Sequence, residues 1–195
     1  MILFMNPNAY IQDIAQALHN GKTILYPTDT IWGLGCSALN EVAVNQVFSI
    51  KNRPKQKSMI LLVSDWEMLA RYIHLPKLLS EELQHLLQES TVPTTIIFPY
   101  TQHLPKFILA ENGSIGVRIP NHRFCHQVIR YLDAPLVSTS ANLSGQTSPF
   151  QFSDISDDIK KQVDIIVDSA FDTSDYKKPS RILLLSEQGE IEEIR

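Results

Sequence analysis

Glycine is scarce: seven in 195 residues, about half the usual share. That shortage, with no Gly/Ser tract and no repeat, sets aside collagen-like, linker-rich and solenoid architectures. Cysteine is nearly missing, with only Cys36 and Cys125. They lie too far apart for a CxxC motif and read as two free thiols in a reducing cytoplasm. Long apolar runs are absent as well. Stretches such as Met59-Ile-Leu-Leu-Val63 fall far short of the roughly 18 residues that span a bilayer. The opening Met1-Ile-Leu-Phe-Met5 has neither the cationic start nor the length of a secretory signal. There is no excess of cations: 17 basic against 21 acidic residues leave a net charge of -4. That balance argues against coating nucleic acid nonspecifically, which depends on neutralised phosphates, and still allows one local basic cleft. What remains, 44% apolar residues over this length, is enough for a core without staples, so residues 1–195 read as one α/β domain.

Helical spacing runs over Tyr10–His19, with Asn6 as cap, Pro7 at the first position and Gly21 as the stop. It returns over Glu41–Ile50, from Asp65 to about Ile73, from about Leu78 to Leu87, over His122–Leu132 and, more weakly, over Ile155–Val163. Strands are expected at 23–26, 59–63, 94–98, 115–119, from Pro135 through Val137 onward, 165–167, 181–185 and 191–194. Residues 28–39 have no period and read as a loop. Because strands and helices mingle without strict βαβ alternation, a mixed sheet flanked by helices is expected.

Four segments carry chemistry. Pro27-Thr-Asp-Thr-Ile-Trp-Gly-Leu-Gly35 follows a strand, where ligands collect in α/β sheets. Its hydroxyls and carboxylate suit an amino or hydroxyl group, or else close a local turn around Asp29. Lys51-Asn-Arg53-Pro-Lys55-Gln-Lys57 places four cations in seven residues with no acid. Extended, it would aim all four one way, toward a polyphosphate or RNA backbone; the plainer reading is a solvated loop. Ser138-Thr-Ser140-Ala-Asn142-Leu-Ser144-Gly145 reads as a chargeless donor loop for phosphate or ribose, or as a helix cap. In Gly113-Ser-Ile-Gly-Val-Arg118, the arginine inside an apolar strand must face solvent or meet an anion. His122, Cys125 and His126 have a chelating spacing but no HExxH and no second cluster, so a surface helix is the better reading and no metal site is assigned. No serine or cysteine has an obvious paired base.

In this order the segments resemble the YrdC/Sua5 family, the threonylcarbamoyl-AMP synthases. The carrying residues are Pro27–Gly35, Lys51-Asn-Arg53, Gly116-Val-Arg118-Ile-Pro120 and Ser138–Gly145, and the likeness runs from about Ile11 to Arg195. It implies a YrdC/RibB-like twisted mixed sheet with a concave basic cavity. It further implies that L-threonine, bicarbonate and ATP, the last with Mg2+, give threonylcarbamoyl-AMP and pyrophosphate. A separate threonylcarbamoyl-transferase complex would then complete t6A beside the tRNA anticodon, in the cytoplasm and away from any membrane.

Carried over by position, Thr30, Arg118, Ser138 and Ser180 fall on the threonine side. Lys51, Arg53, Lys57, Ser114, Ser140, Asn142, Ser148 and Arg195 fall on the nucleotide side. Lys51 and Arg53 would also serve catalysis by offsetting charge on the departing pyrophosphate. The sequence departs from the family at Thr91-Val-Pro-Thr-Thr95, where a Pro-Gly-Pro turn is expected, and at Ser58 in place of proline. Further departures are Ser169-Ala170 in place of a glycine, Arg181 beside Ser180, and an ending at Arg195. One competing reading is a noncatalytic module that contacts RNA or sits on the ribosome; the net charge and the lack of RNA-binding signatures weigh against it. A second is a carbamoyl-adenylate-forming relative serving another maturation pathway, such as the matching domain of hydrogenase-maturation carbamoyltransferases; the lone-domain length and the lack of zinc-finger or acylphosphatase segments weigh against that. The favoured reading itself allows contact with tRNA or double-stranded RNA.

Overall fold

The computed structural model describes residues 6–52, 59–176 and 178–195. Asn6 caps the first helix, its Oδ1 accepting the Asn8 N–H at 3.0 Å, and Pro7 opens it where a missing N–H costs nothing. That helix, α1 (Pro7–His19), turns Ile11, Ile14, Ala15 and Leu18 inward. It is followed by β1 (Ile24–Tyr26), β2 (Gly33–Gly35), α2 (Glu41–Ile50) and β3 (Ile60–Leu62). Next come α3 (Trp66–Tyr72), α4 (Lys77–Glu89), β4 (Thr94–Phe98), β5 (Ile115–Arg118), α5 (Arg123–Leu132) and β6 (Leu136–Ser140). The chain ends with α6 (Asp157–Gln162), β7 (Ile165–Ile166), β8 (Arg181–Leu185) and β9 (Ile191–Glu193).

The strands form one sheet in the order β7-β1-β2-β6-β3-β5-β4-β8-β9. Pairs β1–β7, β3–β5 and β4–β8 are parallel and the others antiparallel. It is therefore the mixed, helix-flanked sheet that the sequence pattern and the family resemblance both imply. Leu25, Leu34, Val137, Leu61, Val117 and Ile96 are buried along its length, and α1 packs on α5.

Two readings of the sequence need correction. Residues 28–39 are not all loop, because β2 lies among them, with both neighbours antiparallel. Its sequence, Gly-Leu-Gly, is poor in strand formers, so local propensity hides it. Close packing explains the choice: a Cβ on Gly35 would run into the Val137 carbonyl of β6. Likewise Ser138, Thr139 and Ser140 belong to β6 and not to a loop. Tertiary pairing decides both cases.

Among the described residues no helix is long and apolar enough to cross a membrane. Cys36 and Cys125 are free and buried. Desolvation pushes both thiols up, which suits small apolar fillers rather than nucleophiles.

Candidate active site

Side chains alternate across a strand, so residues two apart share a face. Here the register lines up Ser138, Ile60, Gly116 and Ile97 across β6, β3, β5 and β4. All four face one cavity of about 320 Å³. Arg118 lies two residues from Gly116, Ser140 two from Ser138 and Thr95 two from Ile97, and each lines the cavity as well. Gly116 keeps the floor low, since a Cβ there would rise between Thr95 and Ile60. The β1–β2 loop contributes Thr28, Thr30 and Trp32, and the far wall is Ser148, Pro179, Ser180 and Arg195.

The wall between the β1–β2 loop and β5 is closely knit. Arg118 is buried at 6% exposure, and its Nη1 donates to Thr30 Oγ1 at 3.0 Å. The same nitrogen lies 3.4 Å from Oδ1 of Asp29, which is also buried. Asp29 Oδ2 accepts the Asn121 N–H at 3.0 Å just ahead of α5. Arg118 thus points inward and is paired, yet its Nε is buried with no hydrogen-bond partner among the described residues. Behind it, His122 Nε2 lies 3.0 Å from the Phe171 carbonyl, which only accepts, so Nε2 carries the proton. Nδ1 is then a bare, buried nitrogen without a partner among the described residues, and burial lowers the imidazole pKa below its ordinary value.

Opposite, Thr95 and Ser180 share a hydrogen bond of 2.8 Å. Arg195 donates to the Ser180 carbonyl through Nε at 3.2 Å and Nη2 at 3.0 Å. Burial, and then the nearby Arg118 charge, lower the pKa of the Arg195 guanidinium. Two guanidinium groups facing one cavity make a place for anions.

Seven of the twelve residues assigned from sequence come together in the cavity lining: Thr30, Arg118, Ser138, Ser140, Ser148, Ser180 and Arg195. Arg53 and Lys57 lie outside the described residues. Lys51 is buried behind the wall. It ends α2 in helical conformation, not in an extended row. Its ammonium donates to the Ser140 carbonyl and, at 2.6 Å, to the Asn142 carbonyl, while its own carbonyl accepts the Ser144 N–H at 2.8 Å. Asn142 ties the loop after β6, Nδ2 donating to the Leu143 and Gln146 carbonyls. Ser114 sits at the turn into β5, its hydroxyl donating to Asn112 Oδ1 at 2.7 Å. Ser114 and Asn142 are not in the lining.

Arg181 does not add charge to the cavity. Alternation turns it to the opposite face from Ser180, where it donates to Thr94 Oγ1 and Ser90 Oγ and pairs with Glu193 at 3.8 Å. Those hydroxyls brace the Val92 turn, so two departures from the family pattern lie against each other. Nor is the helix beginning near His122 a surface helix on that side, because α5 buries Phe124, Cys125, Val128, Ile129 and Leu132. Among the described residues no three His, Cys, Asp or Glu side chains are grouped as metal ligands. Asp29, expected to meet an amino or hydroxyl group or to close a local turn, instead pairs with Arg118 and the Asn121 N–H. Thr28 and Thr95 carry no individual signal in the sequence beyond the strand parity that marks Thr95.

A family model described as Telomere recombination, of the Sua5/YciO/YrdC group, matches residues 16–195. A threonylcarbamoyl-AMP synthase from Vibrio vulnificus is 32% identical over 157 residues, covering 80% of this chain and 84% of the relative. The structure of P. abyssi Sua5 complexed with L-threonine is 26% identical with a TM-score of 0.82, over 96% of this chain. This chain spans 54% of that protein's length. E. coli YciO, 22% identical, shares the fold with a TM-score of 0.79 over 96% of this chain and 89% of its own. Sequence motifs, sheet order and these likenesses agree: the chain belongs to the Sua5/YciO/YrdC family.

Proposed function

We propose that the cavity is the active site of a threonylcarbamoyl-AMP synthase, which converts L-threonine, bicarbonate and ATP into threonylcarbamoyl-AMP and pyrophosphate. The observation that carries this reading is Arg118. Its guanidinium lines the cavity and is already held by Thr30 and Asp29, and a cation fixed there attracts an amino-acid carboxylate. The name of the V. vulnificus relative and the threonine in the P. abyssi Sua5 complex support the assignment.

In this reading Arg118 and Thr30 hold the amino-acid head and Ser180 its far side, with Ser138 where the two substrates meet. Bicarbonate and the threonine amine lose water to form a carbamate. A carbamate oxygen then attacks the α-phosphorus of ATP, and the bond to pyrophosphate breaks. Arg195, Ser140 and Ser148 would meet the nucleotide from the lining, with Ser114 and Asn142 at its margin. Arg53 and Lys57 are assigned to the nucleotide by their place in the family pattern alone. Lys51 would act from behind the wall by holding the Ser140–Ser144 backbone, in addition to any charge it lends the leaving group. The described lining carries no aspartate or glutamate, so its residues do not fit a resident Mg2+ site. The ion enters the proposal only as a companion of ATP. The product would pass to a transferase acting on tRNA in the cytoplasm.

The test is pyrophosphate release from ATP and bicarbonate, with and without L-threonine. Threonine-dependent release is expected. Release that ignores threonine, or tight binding of tRNA or double-stranded RNA without turnover, overturns the proposal.

A further inference from the structure

We infer that Thr28 is a positioning residue: it fixes Thr30 as a pure hydrogen-bond acceptor toward the cavity, and that acceptor reads the amino group of the substrate. The inference rests on the threonine-binding reading above and deepens it.

The argument is a count of protons. A threonine hydroxyl has one proton to give and two lone pairs. Thr28 Oγ1 lies 2.8 Å from the Ile31 carbonyl, 2.9 Å from Thr30 Oγ1, and 3.0 Å from the Thr30 backbone nitrogen. The Ile31 carbonyl can only accept, so the Thr28 proton goes there. The Thr30 N–H takes one lone pair of Thr28. The remaining close contact, between the two hydroxyls, then needs the proton of Thr30. Arg118 Nη1 donates to Thr30 Oγ1 at 3.0 Å. Thr30 therefore has no proton left and one lone pair left, at a residue that lines the cavity.

The opposite polarity, Thr28 donating to Thr30, would leave the Ile31 carbonyl without this donor and let Thr30 donate into the cavity. The carbonyl decides against it. Next to the acceptor on Thr30 stands the Arg118 guanidinium, a cationic donor that also lines the cavity. An acceptor and a cationic donor side by side match the amino and carboxylate groups of an α-amino acid, and they exclude the reversed orientation. The match survives the reaction, because a carbamate nitrogen keeps one N–H when the amine is carboxylated.

Calorimetric titration of the full chain with L-threonine and with 3-hydroxybutyrate of matching configuration tests this. The second ligand keeps the carboxylate and hydroxyl and lacks the amine. The native protein should prefer L-threonine. Thr28→Val should weaken L-threonine about tenfold, the lower range for one hydrogen bond to a charged group, and leave 3-hydroxybutyrate unchanged. Thr28→Ser, which keeps the hydroxyl, should restore the preference. Equal weakening of both ligands, or undiminished threonine affinity in Thr28→Val, overturns the role of Thr28. Equal affinity of the native protein for the two ligands does so without any variant. If the native protein binds neither ligand, the threonine-binding reading itself fails.

Discussion

The wall formed by Thr28, Asp29, Thr30 and Arg118 is interlocked, whereas the residues assigned to the nucleotide are dispersed. In the first, hydrogen bonds and an ion pair link all four residues to neighbours before any ligand arrives. In the second, Ser148 and Arg195 stand in the lining, Ser114 and Asn142 outside it, and Lys51 behind it. Under the proposed function, the difference follows the chemistry of the two substrates. A small amino acid offers few contacts, so its receptor must be preorganised to gain affinity. A triphosphate brings many acceptor oxygens, which separate donors and cations can share.

The largest effect that would break this comparison belongs to Arg118. Arg118→Met should cost about a hundredfold in threonine affinity, the upper range for hydrogen bonds to a charged group. The KM for ATP should move less than threefold. Parallel losses for both substrates in steady-state kinetics would mean the walls do not act separately.

Lys51→Met should come next. It removes the donor from the Ser140 and Asn142 carbonyls and should lower unfolding free energy by about 1–3 kcal/mol. Urea titration measures this. Threonine affinity should hold while the KM for ATP rises, since the loosened loop lies on the nucleotide side.

His122 reports on the back of the interlocked wall through a pH profile. Its imidazole pKa is lowered in the fold, first by burial. Below the ordinary value of 6.5 the unfolded chain takes up a proton that the folded chain refuses. Stability therefore falls as pH drops below 6.5, by at most about 1.4 kcal/mol per unit. The difference between native protein and His122→Gln in unfolding at pH 7.5 and 5.5 isolates this group. A profile unchanged by the substitution would contradict it.

Ser114→Ala should have the smallest effect. The hydroxyl bonds only within an exposed turn, so stability should stay within about 0.5 kcal/mol. A rise of about threefold in the KM for ATP, at the low end for one hydrogen bond, is expected from lost nucleotide contact. An unchanged KM removes Ser114 from that side.

Much of this was legible beforehand. The strands 94–98 and 181–185 coincide with the observed β4 and β8, because continuous β-branched and aliphatic runs admit few alternatives. Helix α1 was readable from its cap and proline. The strand β2 was not, since two glycines in three residues carry no propensity for it. Arg118 was legible as an anomaly, a cation in an apolar strand, but its partner Asp29 lies 89 positions earlier in the chain. The cationic row was misread at Lys51, because charge spacing says nothing about which ammonium finds backbone carbonyls.

Sequence alone determined the mixed α/β class, the family and the segments that meet at the cavity. Those depend on local periodicity, on turn chemistry and on residues in fixed order. Only the tertiary structure decided that Thr28 and Thr30 meet as a hydroxyl pair and that Arg118 is buried against them. It also decided that Arg181 turns away while Ser180 turns in. Hydrogen-bond direction depends on which acceptor stands within about 3 Å. The sheet register, and not chain proximity, brings those partners together.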